Sequence, residues 1–269
     1  MAPRRPPGFE SSSLNPLGRR LRQLALRLGG RFVHRHRVER LRIGDATFKR
    51  VRFGDSGRAE VAARALAIFE GTGAVPRLYE RFDDELLVEF VEGERLARID
   101  PAGADALARF YATIHAPDRR TVATAESGVP ERLARDLDFL VVTGVIDTTH
   151  GGALRDAAER LAPTELTLGW DYTDGVAKNF VWRDDATLVG VDVEALQPDA
   201  LIGIGLAKVL ARGDAETRAR LIETFDRESG LDLEKALPFV ELCGEVRWLK
   251  RRVLKGSAIE PDRLERFTA

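Results

Sequence analysis

Three oxygen-bearing side chains between residues 172 and 194 carry the most chemistry in this sequence: Asp174, Asn179 and Asp192. Residues 172–182 read Tyr-Thr-Asp-Gly-Val-Ala-Lys-Asn-Phe-Val-Trp, and residues 188–194 read Leu-Val-Gly-Val-Asp-Val-Glu. An aspartate and an asparagine five apart fall on a loop between two strands, and a second aspartate ends the hairpin that follows. Phosphoryl transfer asks for such a set. One carboxylate must orient or deprotonate the attacking hydroxyl, while an amide oxygen and another carboxylate hold Mg2+ against a triphosphate. Magnesium prefers a few protein oxygens plus substrate phosphates to a full protein cage, so two side chains suffice. In this scheme Asp174 is the base, and Asn179 and Asp192 are the metal ligands. The aspartate–asparagine spacing alone is an ordinary turn composition. Its surroundings give it weight: a strand before it, the apolar strand Phe180–Trp182 after it, a turn at Asp184-Asp185, and a strand delivering Asp192.

The elements that must position these groups are legible from periodicity. Residues 1–13 are rich in proline, serine and arginine and predict a mobile tail. Leu14, Leu17, Leu21, Leu24 and Leu28 then recur at helical steps among arginines, an amphipathic basic helix ended by Gly29-Gly30. Such a helix either packs on the next lobe or rests on an anionic membrane surface. Short strands follow, at 40–43 and 46–53 around the Gly44-Asp45 turn. An alanine-rich helix spans about 57–70, and two more strands, 76–81 and 86–91, flank Asp83-Asp84. Beyond Glu92-Gly93 the pattern is mostly helical: 104–115, 133–143, then a β island (166–170, 179–183, 187–193), then helices at 199–211, 214–229 and 234–254.

Composition narrows the class. The 269 residues are 44% hydrophobic and 32% charged, a globular balance long enough for two lobes. The single cysteine, Cys243, excludes a disulfide framework and a cysteine-rich zinc site, and the four histidines (34, 36, 115, 150) are scattered. Cys243 shares helical spacing with Phe239, Val240 and Val246, which predicts a buried thiol. No apolar run approaches the ~18 residues of a membrane span. The lack of disulfide chemistry agrees with a reducing, cytoplasmic setting. Residues 1–52 hold 14 Arg or Lys against Glu10, Glu39 and Asp45, so the remainder of a chain of net charge −1 is acidic. A nucleic-acid binder keeps its basic surface without so large an acidic remainder, and no nucleic-acid partner is expected.

The catalytic segment resembles that of the aminoglycoside phosphotransferase and choline kinase group, relatives of the protein kinases, which reads H-G-D-x-x-x-x-N followed by an apolar hairpin and I-D-x-E. Three further segments match in order. Leu86–Leu96 is similar to the group's hinge, Leu107–His115 to the helix ending in Leu-His, and Leu221–Gly230 to the tail helix. The resemblance covers about 32–254. It implies an α+β, two-lobed protein kinase-like fold with a small antiparallel-sheet N-lobe (31–91) and a mainly helical C-lobe (92–269), preceded by the tail and basic helix of 1–30. ATP and Mg2+ are the implied cofactors. Carried over by position, the Glu89 carbonyl and Val91 N–H would bond the adenine edge, Lys49 would pair with the phosphates, and Glu60 would orient Lys49. A hydroxyl of a small molecule is the implied acceptor, and an acidic C-lobe would suit a cationic one such as an aminoglycoside or amino alcohol.

The departures are specific. Tyr172 and Thr173 stand where the group has His and Gly. Asp171 is a rival carboxylate, but it lies eight residues before Asn179, too far for the usual loop. Lys178 either neutralises the transferred phosphate or faces solvent. The first strand pair, with His34 and His36 among arginines, lacks a glycine-rich turn. Two other functions share these features: a kinase-like binding module with little turnover, and a kinase of proteins or lipopolysaccharide sugars held at a membrane surface by residues 14–30.

Overall fold

The computed structural model of the chain describes residues 37–183 and 187–268. The basic helix expected over 14–28, His34, His36 and the Asp184-Asp185 turn lie outside these residues. The described chain forms two compact units, 37–70 with 76–91 and 71–75 with 92–268.

In the first unit, β1 (Arg37–Ile43) and β2 (Ala46–Arg52) make an antiparallel hairpin, with Gly44 supplying the positive φ of +60° that its tight turn needs. Helix α1 (Ser56–Ile68) follows, and β3 (Leu78–Phe82) and β4 (Glu85–Glu89) complete a four-stranded sheet in the order β1-β2-β4-β3. Asp55 caps α1 by accepting the Arg58 N–H at 2.9 Å, a contact worth about 1 kcal/mol. The buried side of α1 is Ala59, Ala62, Ala65 and Leu66. These three- and four-residue steps bring a helix of small side chains against β3 and β4. The sheet contributes Val51, Leu86 and Val88 to the core, and Phe53 joins them just past β2.

The second unit has two three-stranded sheets among helices. One is β5 (Glu94–Arg95), β8 (Phe180–Trp182) and β9 (Leu188–Gly190), with β8 central. In the other, β7 (Glu165–Tyr172) lies between β6 (Arg120–Ala123) and β10 (Leu196–Leu201). The helices are α2 (Pro101–His115), α3 (Val129–Val142), α4 (Thr148–Leu161), α5 (Ile204–Leu210), α6 (Ala215–Ser229) and α7 (Leu233–Leu254), and a 3-10 stretch, Pro261–Phe267, packs against α7. Aspartates cap α2, α4, α6 and α7 as well: Asp100, Asp147, Asp214 and Asp232 each accept a first-turn N–H. The Glu92-Gly93 turn tolerates only glycine, because a Cβ on Gly93 would stand 1.9 Å from the Trp182 carbonyl oxygen.

The small antiparallel sheet unit and the helix-rich unit are the expected α+β architecture, with one element reassigned. The helix expected over 199–211 is a strand followed by a shorter helix. Leu196, Ala200 and Leu201 pair with Tyr172, Gly169 and Leu168 of β7, and α5 starts only after Gly203, at φ +98°. The apolar run from Ala200 to Ala211 mimics one long helix, whereas Pro198 and the β7 edge hold its first residues extended. Strand β6 and helix α4 have no counterpart among the expected elements. The signal for α4 was present in the Asp147 cap and the Leu154, Ala157 and Leu161 steps.

Candidate active site

The loop after β7 is built on Tyr172. Its ring is fully buried between Phe110 and Phe180, each 5.2 Å away by ring centre. Burial, with Asp192 nearby, holds the phenol well above its ordinary pKa, so it stays protonated. The hydroxyl therefore works in both directions: it donates to the Asn179 carbonyl at 3.2 Å and accepts the Asp192 N–H at 2.9 Å. A third tie, Val191 N–H to the Asn179 carbonyl at 2.8 Å, closes the set. One tyrosine oxygen thus stitches together the backbones that carry the Asn179 and Asp192 side chains. Tyr172, where the resembled motif has histidine, holds the two backbones by hydrogen bonding.

Asp174 and Asn179 meet directly. Asn179 Nδ2 donates to Asp174 Oδ2 at 3.0 Å and to the Asp174 carbonyl at 3.1 Å, which leaves Oδ1 as the amide atom presented elsewhere. The Asp174 side chain is 43% exposed, and it lines a cavity of about 280 Å3 formed within the second unit by α5, α7 and the 261–267 stretch. The rival carboxylate three residues earlier has a different fate. Asp171 is fully buried, with Oδ1 receiving His115 Nε2 at 2.8 Å and Oδ2 receiving the Gly205 N–H at 2.9 Å. Close backbone approach makes this possible: a Cβ on Gly205 would lie 1.8 Å from the Tyr172 carbonyl oxygen, and one on Gly175 would lie 2.0 Å from that of Gly205.

Sequence reasoning missed Lys208. Its ammonium donates to the Thr173 carbonyl at 2.6 Å and to Asp174 Oδ1 at 3.3 Å. Burial lowers its pKa and the neighbouring Asp174 opposes that shift. The signal that could have found it is a lone charge in the otherwise apolar helix Ile204–Leu210.

No family model matches the sequence, and no curated protein matches it. Solved structures do match in three dimensions. A macrolide 2'-phosphotransferase from Brachybacterium faecium is 14% identical with a TM-score of 0.62, over 92% of this chain and 96% of that one. A choline kinase from Streptococcus pneumoniae is 12% identical with a TM-score of 0.61, over 91% and 96%. An ethanolamine kinase from Plasmodium vivax is 12% identical with a TM-score of 0.57, over 87% and 80%. The fold is that of the kinase-like small-molecule phosphotransferases.

Within that phosphotransferase fold the other expected residues occupy definite places. Lys49 lies in the middle of β2, opposite Arg40 of β1 and Val88 of β4. It shares a strand face with buried Val51 and Phe53, while Arg50 and Arg52 on the other face are paired with Glu85. Glu60 is on the exposed side of α1, its carboxylate 3.5 Å from Arg81. Glu89 ends β4, where its N–H donates to the Arg77 carbonyl at 2.8 Å, and Val91 follows two residues later. Lys178 is exposed and makes no ion pair among the described residues. Burial pushes the Cys243 thiol up to about 12, so it supplies no thiolate near neutrality. No described helix is long and apolar enough to cross a membrane.

Proposed function

We propose that the protein is an ATP-dependent phosphotransferase that moves the γ-phosphate to a hydroxyl of a small molecule. The observation that supports this best is the hydrogen-bonded unit of Asp174, Asn179 and Asp192 assembled on Tyr172, on a fold shared with phosphotransferases. Asp174 faces the cavity and takes the proton of the acceptor hydroxyl. Its other contacts, Asn179 Nδ2 and Lys208 Nζ, restrict its rotamer, so the carboxylate is oriented before the acceptor arrives.

The donor set fits Mg2+. Asn179 is tied back through Nδ2, which leaves its hard amide oxygen as the ligand atom, and Asp192 adds a carboxylate at the end of the β8–β9 hairpin. Two side chains and phosphate oxygens would complete the coordination of such an ion. Bound there, Mg2+ would neutralise charge on the triphosphate. Lys49, Glu89 and Val91 are the residues of the first unit assigned to the nucleotide, and Lys178 is assigned to the transferred phosphate; Glu60, expected to orient Lys49, is drawn instead to Arg81 and is left out of this scheme.

The test is Mg·ATP consumption over a panel of hydroxyl compounds, with Asp174→Asn as the control. Acceptor-dependent turnover that disappears in the variant supports the proposal; full activity in the variant shows that the base is another group. Nucleotide binding without transfer to any acceptor would instead favour a binding module.

A further inference from the structure

The cavity beside Asp174 has a charge arrangement that net charge did not foretell. Two carboxylates of α7, Glu241 and Glu245, stand in its wall, along with the indole of Trp248. These are the groups that would recognise an ammonium, and each already has a guanidinium partner from the chain itself. Glu241 Oε1 is 2.8 Å from Arg218, and Glu245 Oε1 is 2.7 Å from Arg263. Arg266 lies 3.7 Å and 3.8 Å from the same two carboxylates. Arg263 also covers the Trp248 ring, 4.4 Å from its centre, and Arg252 approaches it at 5.2 Å. A cationic acceptor would have to displace an arginine to reach any of them.

Apart from Asp174 itself, what the cavity leaves accessible is of the opposite sign. The Glu241 and Glu245 side chains are 9% and 11% exposed, whereas those of Arg263 and Arg266 are 36% and 45% exposed. Arg212 lines the same cavity just beyond the end of α5. One guanidinium N–H is fixed on the Lys208 carbonyl at 3.0 Å, and no carboxylate partner exists for it among the described residues. A planar donor fork anchored at one corner, on the rim of a cavity that holds the base, is suited to a phosphate or carboxylate.

We infer that the acceptor is an anionic hydroxy compound carrying a phosphate or carboxylate, whose anionic group is received by Arg212 while its hydroxyl is presented to Asp174. This rests on the phosphotransferase reading for the chemistry but not for the binding. Arg263 and Arg266 act as specificity determinants: they occupy the sites where an ammonium would otherwise bind.

The experiment uses the full chain and two readouts. Quenching of tryptophan fluorescence reports binding of glucose 6-phosphate, gluconate, ethanolamine and kanamycin, and Mg·ATP-dependent transfer is measured on the same compounds. Quenching is expected with at least one of the two anionic probes, absent in Trp248→Phe and weakened at least tenfold in Arg212→Gln, with Arg212→Lys recovering part. The phosphate and the carboxylate probe separate the two sources of the anion. Removing the arginine cover in R263A/R266A is expected to strengthen ethanolamine or kanamycin binding. Wild-type binding of the cationic probes alone, or of neither anionic probe, overturns the inference and leaves the phosphotransferase reading standing. Anionic binding with no transfer to any compound keeps the anion site and counts against the phosphotransferase reading. Should R263A/R266A fail to fold, the Arg212 pair still decides the matter.

Discussion

Two aspartates three residues apart, at the end of β7 and in the loop beyond it, have been given opposite environments. Around Asp171 the chain has closed: both carboxylate oxygens are occupied by donors from α2 and α5, and no solvent reaches them. Around Asp174 it has stayed open: the carboxylate is partly exposed, held by one amide and one ammonium, and adjoins the cavity. A carboxylate saturated with short bonds in a dry site is a structural strut, because using it as a base would require breaking those bonds. A carboxylate restrained on one side and open on the other can receive a proton. The same residue type at nearly the same place in the sequence thus meets two environments, and the number of donors reaching it separates them.

The largest effect that would sharpen this contrast is on transfer. Asp174→Asn is expected to lower the rate by about a thousandfold, as for loss of a general base, while the melting temperature stays within about 2 °C of wild type. Asp171→Ala should do the reverse, costing about 3–5 kcal/mol because His115 and the Gly205 N–H are left buried without their partner. Urea denaturation reads that loss, and activity per folded molecule should change far less than in Asp174→Asn. A thousandfold loss of activity in a well-folded Asp171 variant would break the comparison.

A smaller effect concerns the tie between the two regions. Tyr172→Phe keeps the ring packing but removes the oxygen shared by Asn179 and Asp192. It is expected to cost about 1–3 kcal/mol in stability, with transfer reduced at saturating acceptor as the metal-binding pair loses register. Unchanged activity would mean that the backbone bond from Val191 to Asn179 suffices alone.

Smallest is the effect at Asp105, a carboxylate on the outer part of α2. Its pKa is held below the ordinary 3.8, chiefly by the hydrogen bond from Arg220 of α6 and also by Thr224. A carboxyl whose folded pKa is depressed adds stability that is present above 3.8 and is lost as pH falls through the folded value. Asp105→Asn should therefore lose a little stability near neutrality, no more than the few tenths of a kcal/mol usual for a solvent-screened pair, and the gap between wild type and variant should shrink as denaturation is repeated toward pH 2. A gap independent of pH would mean that packing, not charge, links α2 to α6 there.

Much of this could be seen in the residues beforehand, and the reason is the range of the forces involved. The β1–β2 hairpin follows from Gly44-Asp45 and alternation, α1 from its alanine steps, and the 174–179 loop from a strand, a turn composition and a second strand. Each signal is contained in a few neighbouring residues. The failures were of the opposite kind. The run from Ala200 has helical periodicity, but the edge of β7 recruits its start as a strand. Lys208 lies 34 residues from Asp174 along the chain, and nothing in either neighbourhood says that they meet.

By itself the sequence determined the order of most elements, the presence of three oxygen-bearing side chains at 174, 179 and 192 and the spacing that keeps Asp174 and Asn179 on one loop, because local backbone preference and side-chain period act over a few residues. Only the tertiary structure decided which aspartate is sealed and which is open, that Tyr172 joins Asn179 to Asp192, and that arginines cover the carboxylates of the cavity. Those outcomes depend on which donors arrive from elements far away in the chain. A summed charge does not record how its members are paired in space.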